Sequence, residues 1–564
     1  MIWQAHCPTY ADESRAVGAV KVVSENCRKR NLISPTIETM DVAAEPVVDY
    51  LFGTSNQGVF SQNPQDEPGP RPSIWWQAIY SRDRRFDGRV FIGATTTKIY
   101  CRPICPVPFA KPNNLVWFSC AAAAEAAGFR ACRRCRSEAS PGTPAWLGTS
   151  AIVSRALRLI SEGALDEGNV DDLAERVGIG ARQLRRLFHE HLGTSPLKIA
   201  ITNRVHFARN LIEESDLPVT QIALSTGFTS IRQFNHAVRA ICGQSPTELR
   251  RVRGEFAGSH QGGLVIRLPY RPPLDWRALL MFLKTRATPG VEAIRDGSYQ
   301  RTIRIGDTTG IIEVRADHAE PVLTVRIELP RYPDLMKVVE RVRRIFDLGA
   351  DPLRIAGDLS RDQKLKSLLN YSPGLRVPGV WDGFELAVHA VLGEQLSTNE
   401  PTKLVGRLVR TFGTPIRCAS PDLTHLFPEP EDLAQADLSR AGIHGSRAAV
   451  LRSLARAVSG NELKFSASST LEEAISRICS VPGIEEGTAH YIAMRALSEP
   501  DALPFSDPGL RTRLGDGGNP VSILEVQNAA EGWRPWCAYA AMHLCAATLP
   551  DQDAERQSIK GRTG

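Results

Sequence analysis

The chain has 564 residues, 42% of them hydrophobic and 23% charged, and a formal charge of +6. That is a globular composition, long enough for three or four domains with their own cores. It holds no run of 18 apolar residues, and the N-terminus MIWQAHCP lacks a charged region followed by an apolar one. Both features argue against a membrane partner or a secretory signal and for a cytoplasmic protein, and in that compartment twelve cysteines are thiols or metal ligands rather than disulfides.

Residues 31–70 carry six acidic residues and no Lys or Arg, so the basic surface lies downstream. Residues 1–72 show no sustained period and end in the breaker cluster SQNPQDEPGPRP, which predicts a flexible leader. The next segment, 73–142, contains Cys101-x3-Cys105, 26 intervening residues, and Cys132-x2-Cys135. Two close pairs separated by a loop converge on one tetrahedral ion, because each pair sits on a tight turn that aims both sulfurs inward. Cys120 has no partner at ligand spacing and reads as core. On pattern alone, such a site is most often purely structural.

The surrounding residues say more. RPSIWWQAIY (71–80), FDGRVFIGATTTKIYCRPIC (86–105) and AAGFRACRRC (126–135) resemble the zinc domain of the Ada-type adaptive-response proteins over its whole length. The resemblance implies one Zn2+, structural and catalytic, held by Cys101, Cys105, Cys132 and Cys135, with Cys101 accepting a methyl group from a methylphosphotriester in DNA. Four thiolates on zinc make an anionic site whose sulfurs stay nucleophilic at neutral pH, suited to a neutral triester. Methylation would lower that negative charge and tighten binding to polyanionic DNA, an electrostatic switch. Thr97 and Arg130 match family positions against the DNA backbone. Where the family often has a phosphate-contacting Arg, three residues after the second ligand, this chain has Pro108, and Arg102 or Lys111 is the expected replacement.

Residues 149–253 repeat with a period near 50: AERVG (174–178) answers ALSTG (223–227), RQL (182–184) answers RQF (232–234), and GTSP (193–196) answers GQSP (243–246). The Ala-x3-Gly spacing suits a helix-turn-helix, and residues 181–210 hold six Lys or Arg against one acidic residue. A structural helical bundle is the plainer alternative. The segment resembles the tandem helix-turn-helix of AraC-type activators, which implies recognition helices over Ala181–His191 and Thr229–Ile241. These would present Arg182, Arg185 and Arg186, then Arg232, Gln233 and Asn235, to the major groove of promoter DNA. Leu184, Leu187, Phe188, Phe234 and Val238 read as core.

From LVIRLPY (264–270) the pattern alternates as in strands, with YQRTIRI (299–305), GIIEVR (310–315) and VLTVRIE (322–328) predicted to form an antiparallel sheet. Beyond Arg354 it turns helical. PYRPPLDW (269–276), GLRVPG (374–379), DGFELAVHAVLG (382–393), ICSVPGIEEGTAHYIAMR (478–495), DALPFSDPGL (501–510) and WRPWCAYA (533–540) are similar, in order, to the AlkA-type 3-methyladenine DNA glycosylases. The resemblance implies a mixed α/β subdomain (264–354), a helix-hairpin-helix bundle (355–548) and a tail (549–564). It places the catalytic carboxylate on Asp507, DNA contacts at Gln395 and Gly483, and Tyr491 in the base pocket. A purine alkylated at ring nitrogen 3 or 7 is cationic and leaves without a strong general acid, so one carboxylate that stabilises the developing sugar cation suffices. The plain reading of Asp507 is a helix cap before Pro508. Departures from the family pattern are Glu485 for the second glycine of the hairpin, Glu486 beside it, Gly487 for a Trp, Cys545 at a position usually aromatic, and Glu394 for a Gln.

No Pro-Cys-His-Arg motif of an O6-alkylguanine transferase is present. The expected whole is a multidomain α+β protein: a four-cysteine zinc domain, an all-α tandem helix-turn-helix, and a glycosylase. It would sense alkylation, activate transcription with RNA polymerase as partner, and excise alkylated purines from double-stranded DNA at the nucleoid. The competing reading is a pure regulator with a retired glycosylase fold, and a third is an enzyme whose zinc is only structural.

Overall fold

In this computed structural model the described residues are 73–546, apart from 138–139, 141–150, 167, 252–262, 318, 333, 394–398, 418–419, 466–469 and 516–518. The leader, the tail and Gln395 lie outside them.

Short runs containing β-branched and aromatic residues build β1 (Phe91–Ala94), β2 (Ile99–Cys101) and β3 (Leu115–Phe118) of the first sheet, and the two-residue β4 (Arg130–Ala131) completes it in the order β3-β1-β2-β4. Adjacent residues of β1 serve opposite faces, as a period of two demands. Ile92 packs with Ile79, Leu115 and Trp117 beside α1 (Ser73–Tyr80), while Phe91 packs with Tyr100, Phe129 and Ala124 of α2 (Ala121–Ala126). Strand β2 pairs antiparallel with β1 and parallel with β4, which brings the two cysteine turns to one end of the sheet.

Seven helices follow: α3 (Ala151–Ser161), α4 (Val170–Arg176), α5 (Ala181–Leu192), α6 (Pro196–Glu214), α7 (Val219–Ser225), α8 (Ile231–Cys242) and α9 (Pro246–Arg251). The sequence repeat is a structural one. Gly178 and Gly227, both at positive φ, turn α4 into α5 and α7 into α8. Gly193 and Gly243 end the recognition helices in the left-handed conformation, and Ser195-Pro196 and Ser245-Pro246 start the next helices. The long helix α6 joins the two repeats.

The second sheet is antiparallel: β5 (Leu264–Pro269), β6 (Glu292–Arg295), β7 (Ser298–Ile305), β8 (Thr308–Ala316) and β9 (Val322–Glu328), ordered β5-β9-β8-β7-β6, with α10 (Trp276–Lys284) and α11 (Leu335–Ile345). The remaining bundle comprises α12 (Pro352–Leu359), α13 (Gln363–Tyr371), α14 (Gly383–Gly393), α15 (Asn399–Phe412), α16 (Pro430–Ala434), α17 (Gly445–Ser459), α18 (Leu471–Cys479), α19 (Glu486–Ala496), α20 (Pro508–Leu514), α21 (Ile523–Ala530) and α22 (Cys537–Ala546).

The units are not separated by open space. Leu211 of α6 and Phe228, Phe234 and Val238 of the second helix-turn-helix share one apolar core with Ile266, Val325 and Val338 of the second sheet and its helix. Ser225 Oγ donates to Tyr332 O at 2.5 Å across the same junction. Arg136 pairs with Glu213 (2.9 Å) and Glu214 (3.0 Å) on α6, and Arg89 with Asp351 (3.1 Å) in front of α12. Among the described residues no helix is long and apolar enough to cross a membrane.

Candidate metal centre and nucleic-acid interfaces

Cys101 ends β2, and the Arg102–Cys105 turn, closed by Cys105 N–H to Arg102 O (3.1 Å), returns the second thiol toward it. Cys132 follows β4 directly, its N–H donating to Tyr100 O at 3.0 Å. The four sulfurs of Cys101, Cys105, Cys132 and Cys135 all lie within 4.8 Å of one another. A zinc ion with sulfurs at about 2.3 Å in a tetrahedron needs edges of about 3.8 Å, and Cys105 and Cys132 stand at 4.0 Å. The set is four soft donors, so it fits zinc. Cys135 Sγ accepts from Arg102 N–H at 3.5 Å and lies 3.3 Å from Ser137 Oγ, whose hydroxyl donates to Tyr100 O at 3.0 Å, so the ligand turn is tied to the strand of Cys101.

Three of the four cysteines are buried and Cys101 is only partly so. A small alkylating agent such as methyl iodide is therefore expected to modify Cys101 ahead of Cys105, Cys132 and Cys135, as read by peptide mass spectrometry of the zinc-loaded protein.

Thr97 is exposed in the turn between β1 and β2, and Arg130 is exposed on β4. Arg102 departs from the expectation of a DNA contact. It is 9% exposed, with Nε on Asp87 Oδ1 (2.8 Å), Nη2 on Asp87 Oδ2, and Nη1 on Cys135 O (3.1 Å). A buried guanidinium committed to a buried carboxylate braces the ligand turn and cannot also meet a phosphate. Sequence reasoning also missed Glu125, which accepts from Tyr100 Oη (2.9 Å) and Thr202 Oγ1 (2.7 Å) and stands 2.7 Å from His206 Nε2, tying the strand of Cys101 to α6.

On α5, Arg182, Arg185 and Arg186 are exposed, while Leu184 and Phe188 are buried and Leu187 partly so. On α8, Arg232, Gln233 and Asn235 are exposed, with Phe234 and Val238 buried. The basic and amide side chains thus share the outward face of each second helix. Among the described residues Arg185 and Arg186 have loose partners, Asp171 at 3.9 Å and Glu190 at 3.8 Å.

In the C-terminal half, Asp507 caps α20: its Oδ1 accepts the Leu510 N–H at 2.9 Å, with Pro508 in the first turn. The cap leaves the group partly exposed, and among the described residues no hydrogen bond to Oδ2 is present. Cys545 Sγ lies 3.8 Å from Oδ1; burial, then the Asp507 charge, pushes its thiol well above the ordinary range, so it is a neutral wall of the site. Tyr491 Oη accepts from Arg495 Nη1 at 2.8 Å. Burial would raise the Tyr491 phenol, but Arg495 and Arg286 beside it outweigh that and bring it below its usual range. Arg495 is itself fixed by Pro378 O (2.9 Å) and Gly379 O (3.2 Å). Sequence reasoning missed both arginines; the available signal was Arg495 one helical turn beyond Tyr491.

Gly483 is exposed at φ 92° in the turn between α18 and α19, and Glu485 and Glu486 are exposed beyond it. Gly487 is buried against the Asp507 loop. A Cβ there would come within 2.0 Å of Ser506 Oγ and 2.8 Å of Ser506 Cβ, so Ser506 fills the space a large side chain would need. Gly487→Ala is expected to cost about 1–3 kcal/mol by overpacking, read as a lowered thermal midpoint.

The chain matches the family models described as the metal binding domain of Ada over 74–138, a helix-turn-helix domain over 173–252, and the AlkA N-terminal domain over 265–382. With the four-thiol centre, the duplicated helix-turn-helix and the capped carboxylate, these define the class: an Ada-type zinc module and activator-type DNA-binding segment fused to an AlkA-type glycosylase fold. Over 476 residues the chain is 40% identical to the probable bifunctional transcriptional activator/DNA repair enzyme AlkA of Mycobacterium tuberculosis, covering 83% of this chain and 95% of that one. It belongs to that family of fused Ada–AlkA proteins. DNA-3-methyladenine glycosylase 2 of Escherichia coli is 31% identical over 280 residues, 49% of this chain and 95% of its own length. The bifunctional transcriptional activator/DNA repair enzyme Ada of Escherichia coli is 27% identical over 175 residues, 31% and 48% of the two chains.

Proposed function

We propose that this protein senses DNA alkylation through Cys101, activates transcription through its helix-turn-helix segment with RNA polymerase as partner, and excises alkylated purines such as 3-methyladenine with Asp507. The observation that carries the reading is the occurrence in one chain of a four-thiol centre with a single sulfur near the surface and a capped carboxylate with one open edge.

Bound zinc keeps its sulfur ligands as thiolates at neutral pH. The Cys101 sulfur attacks the methyl carbon of a methylphosphotriester; a sulfur–carbon bond forms, the carbon–oxygen bond breaks, and the electron pair stays on the released phosphodiester. No proton moves. Thr97 and Arg130 flank the approach, and Arg102 holds the ligand turn through Asp87.

In the excision half, Tyr491 offers a ring for a base flipped out of the duplex. The glycosidic bond breaks with its electron pair going to the cationic base, which leaves neutral. Asp507 stabilises the cation left on the sugar, and water adds with loss of its proton. Exposed Glu485 and Glu486 weaken the grip on phosphate without touching this chemistry, so the retired-fold reading draws little from them.

The test is incubation of the zinc-loaded full chain with methylated duplex DNA, following free 3-methyladenine and 7-methylguanine together with the mass gain of one methyl group at Cys101. Base release plus a methylated Cys101 is the expected result. Binding with neither product would overturn the reading and leave a DNA-binding regulator.

A further inference from the structure

Glu499 follows α19 and lies eight residues before Asp507, on the segment that delivers that carboxylate. Its side chain is 2% exposed, yet the cations that meet it come from the other end of the chain. Arg155 Nε donates to Oε1 at 3.2 Å and Nη2 to Oε2 at 3.1 Å, and Arg158 Nη2 stands 3.7 Å from Oε1. Both arginines are on α3, three residues apart and so on one face. A two-pronged guanidinium–carboxylate pair fixes orientation as well as distance, and burial makes either charge costly to leave alone.

The rest of the segment is held from within the excision half. Pro500 O accepts from Ala538 N–H (2.9 Å), Asp501 pairs with Arg534, Leu503 N–H donates to His490 Nδ1 (3.2 Å), and Asp507 N–H donates to Pro504 O (2.9 Å). At the start of the segment Glu499 N–H donates to Ala493 O (3.2 Å), and among the described residues its side-chain clamp comes from the DNA-binding half.

We propose that Arg155 is a positioning residue for base excision: through Glu499 it sets the segment that presents Asp507, which makes the first helix of the regulatory segment a working part of the excision site. The proposal rests on the excision reading above. It assigns the regulator a second role, independent of promoter binding.

The test uses the zinc-loaded full chain, with single-turnover base release at saturating protein beside the dissociation constant for the same damaged duplex. Glu499→Gln is isosteric, and Arg155→Met keeps an apolar stem while removing the guanidinium. Each is expected to slow release by about tenfold to 10²-fold, as a misplaced catalytic group does, while DNA affinity changes by less than about threefold. The double variant should be no slower than the slower single one, because both remove the same clamp. Arg89→Met breaks a different ion pair between units, with Asp351, that does not touch this segment; it should leave the rate unaltered. Full rates in Arg155→Met and Glu499→Gln would overturn the proposal, as would an equal loss in Arg89→Met, which would mark a general stability effect. An unaltered chain that binds damaged duplex and releases nothing would instead overturn the excision reading and this proposal together.

Discussion

The Asp507→Asn chain is expected to bind alkylated duplex as the unaltered chain does and to release 3-methyladenine about 10²- to 10³-fold more slowly, a loss of roughly 3–4 kcal/mol of transition-state stabilisation. The variant is informative because of what Asp507 does twice. One oxygen caps α20 through the Leu510 N–H, a task Asn performs as well as Asp. The helix and the segment before it therefore stay in place, and equal thermal midpoints should show that. What Asn lacks is the charge that meets the sugar cation. A lowered midpoint with a parallel loss of rate would assign Asp507 to the cap alone.

Cys105→Ala is expected to abolish stoichiometric zinc and to unfold the module around the first sheet. Cys105 is fully buried among the other three sulfurs, and the two apolar clusters flanking the sheet are small. A structural zinc site supplies about 10 kcal/mol or more of binding free energy that is also folding free energy. The expected readings are loss of zinc by metal analysis, loss of methyl acceptance at Cys101, and rapid amide exchange over 73–137. The excision half, whose core is elsewhere, should stay folded. A variant that retains one zinc per chain would show that three thiols suffice.

The local features were the legible ones. Ligand spacing, a helix-turn-helix repeat with glycine turns, alternation in the second sheet, and an Asp-Pro helix start each depend on residues a few positions apart, and each stands in the structure as its pattern implied. What escaped depends on contacts distant in sequence. Arg102 looked available for phosphate until Asp87, fifteen residues earlier, was found to hold it. Gly487 looked like a missing Trp, and only the close approach of Ser506 shows what occupies that space. Arg155 and Glu499, separated by 344 positions, carried no signal at all.

The apolar core running from α6 and α8 into the second sheet has no seam between the promoter-binding half and the excising half. Local opening at that junction exposes both sides at once, so a cell's proteases meet them as one substrate. The DNA-binding segment and the glycosylase fold are then cleared together, at one rate and in equal number, as the protein turns over.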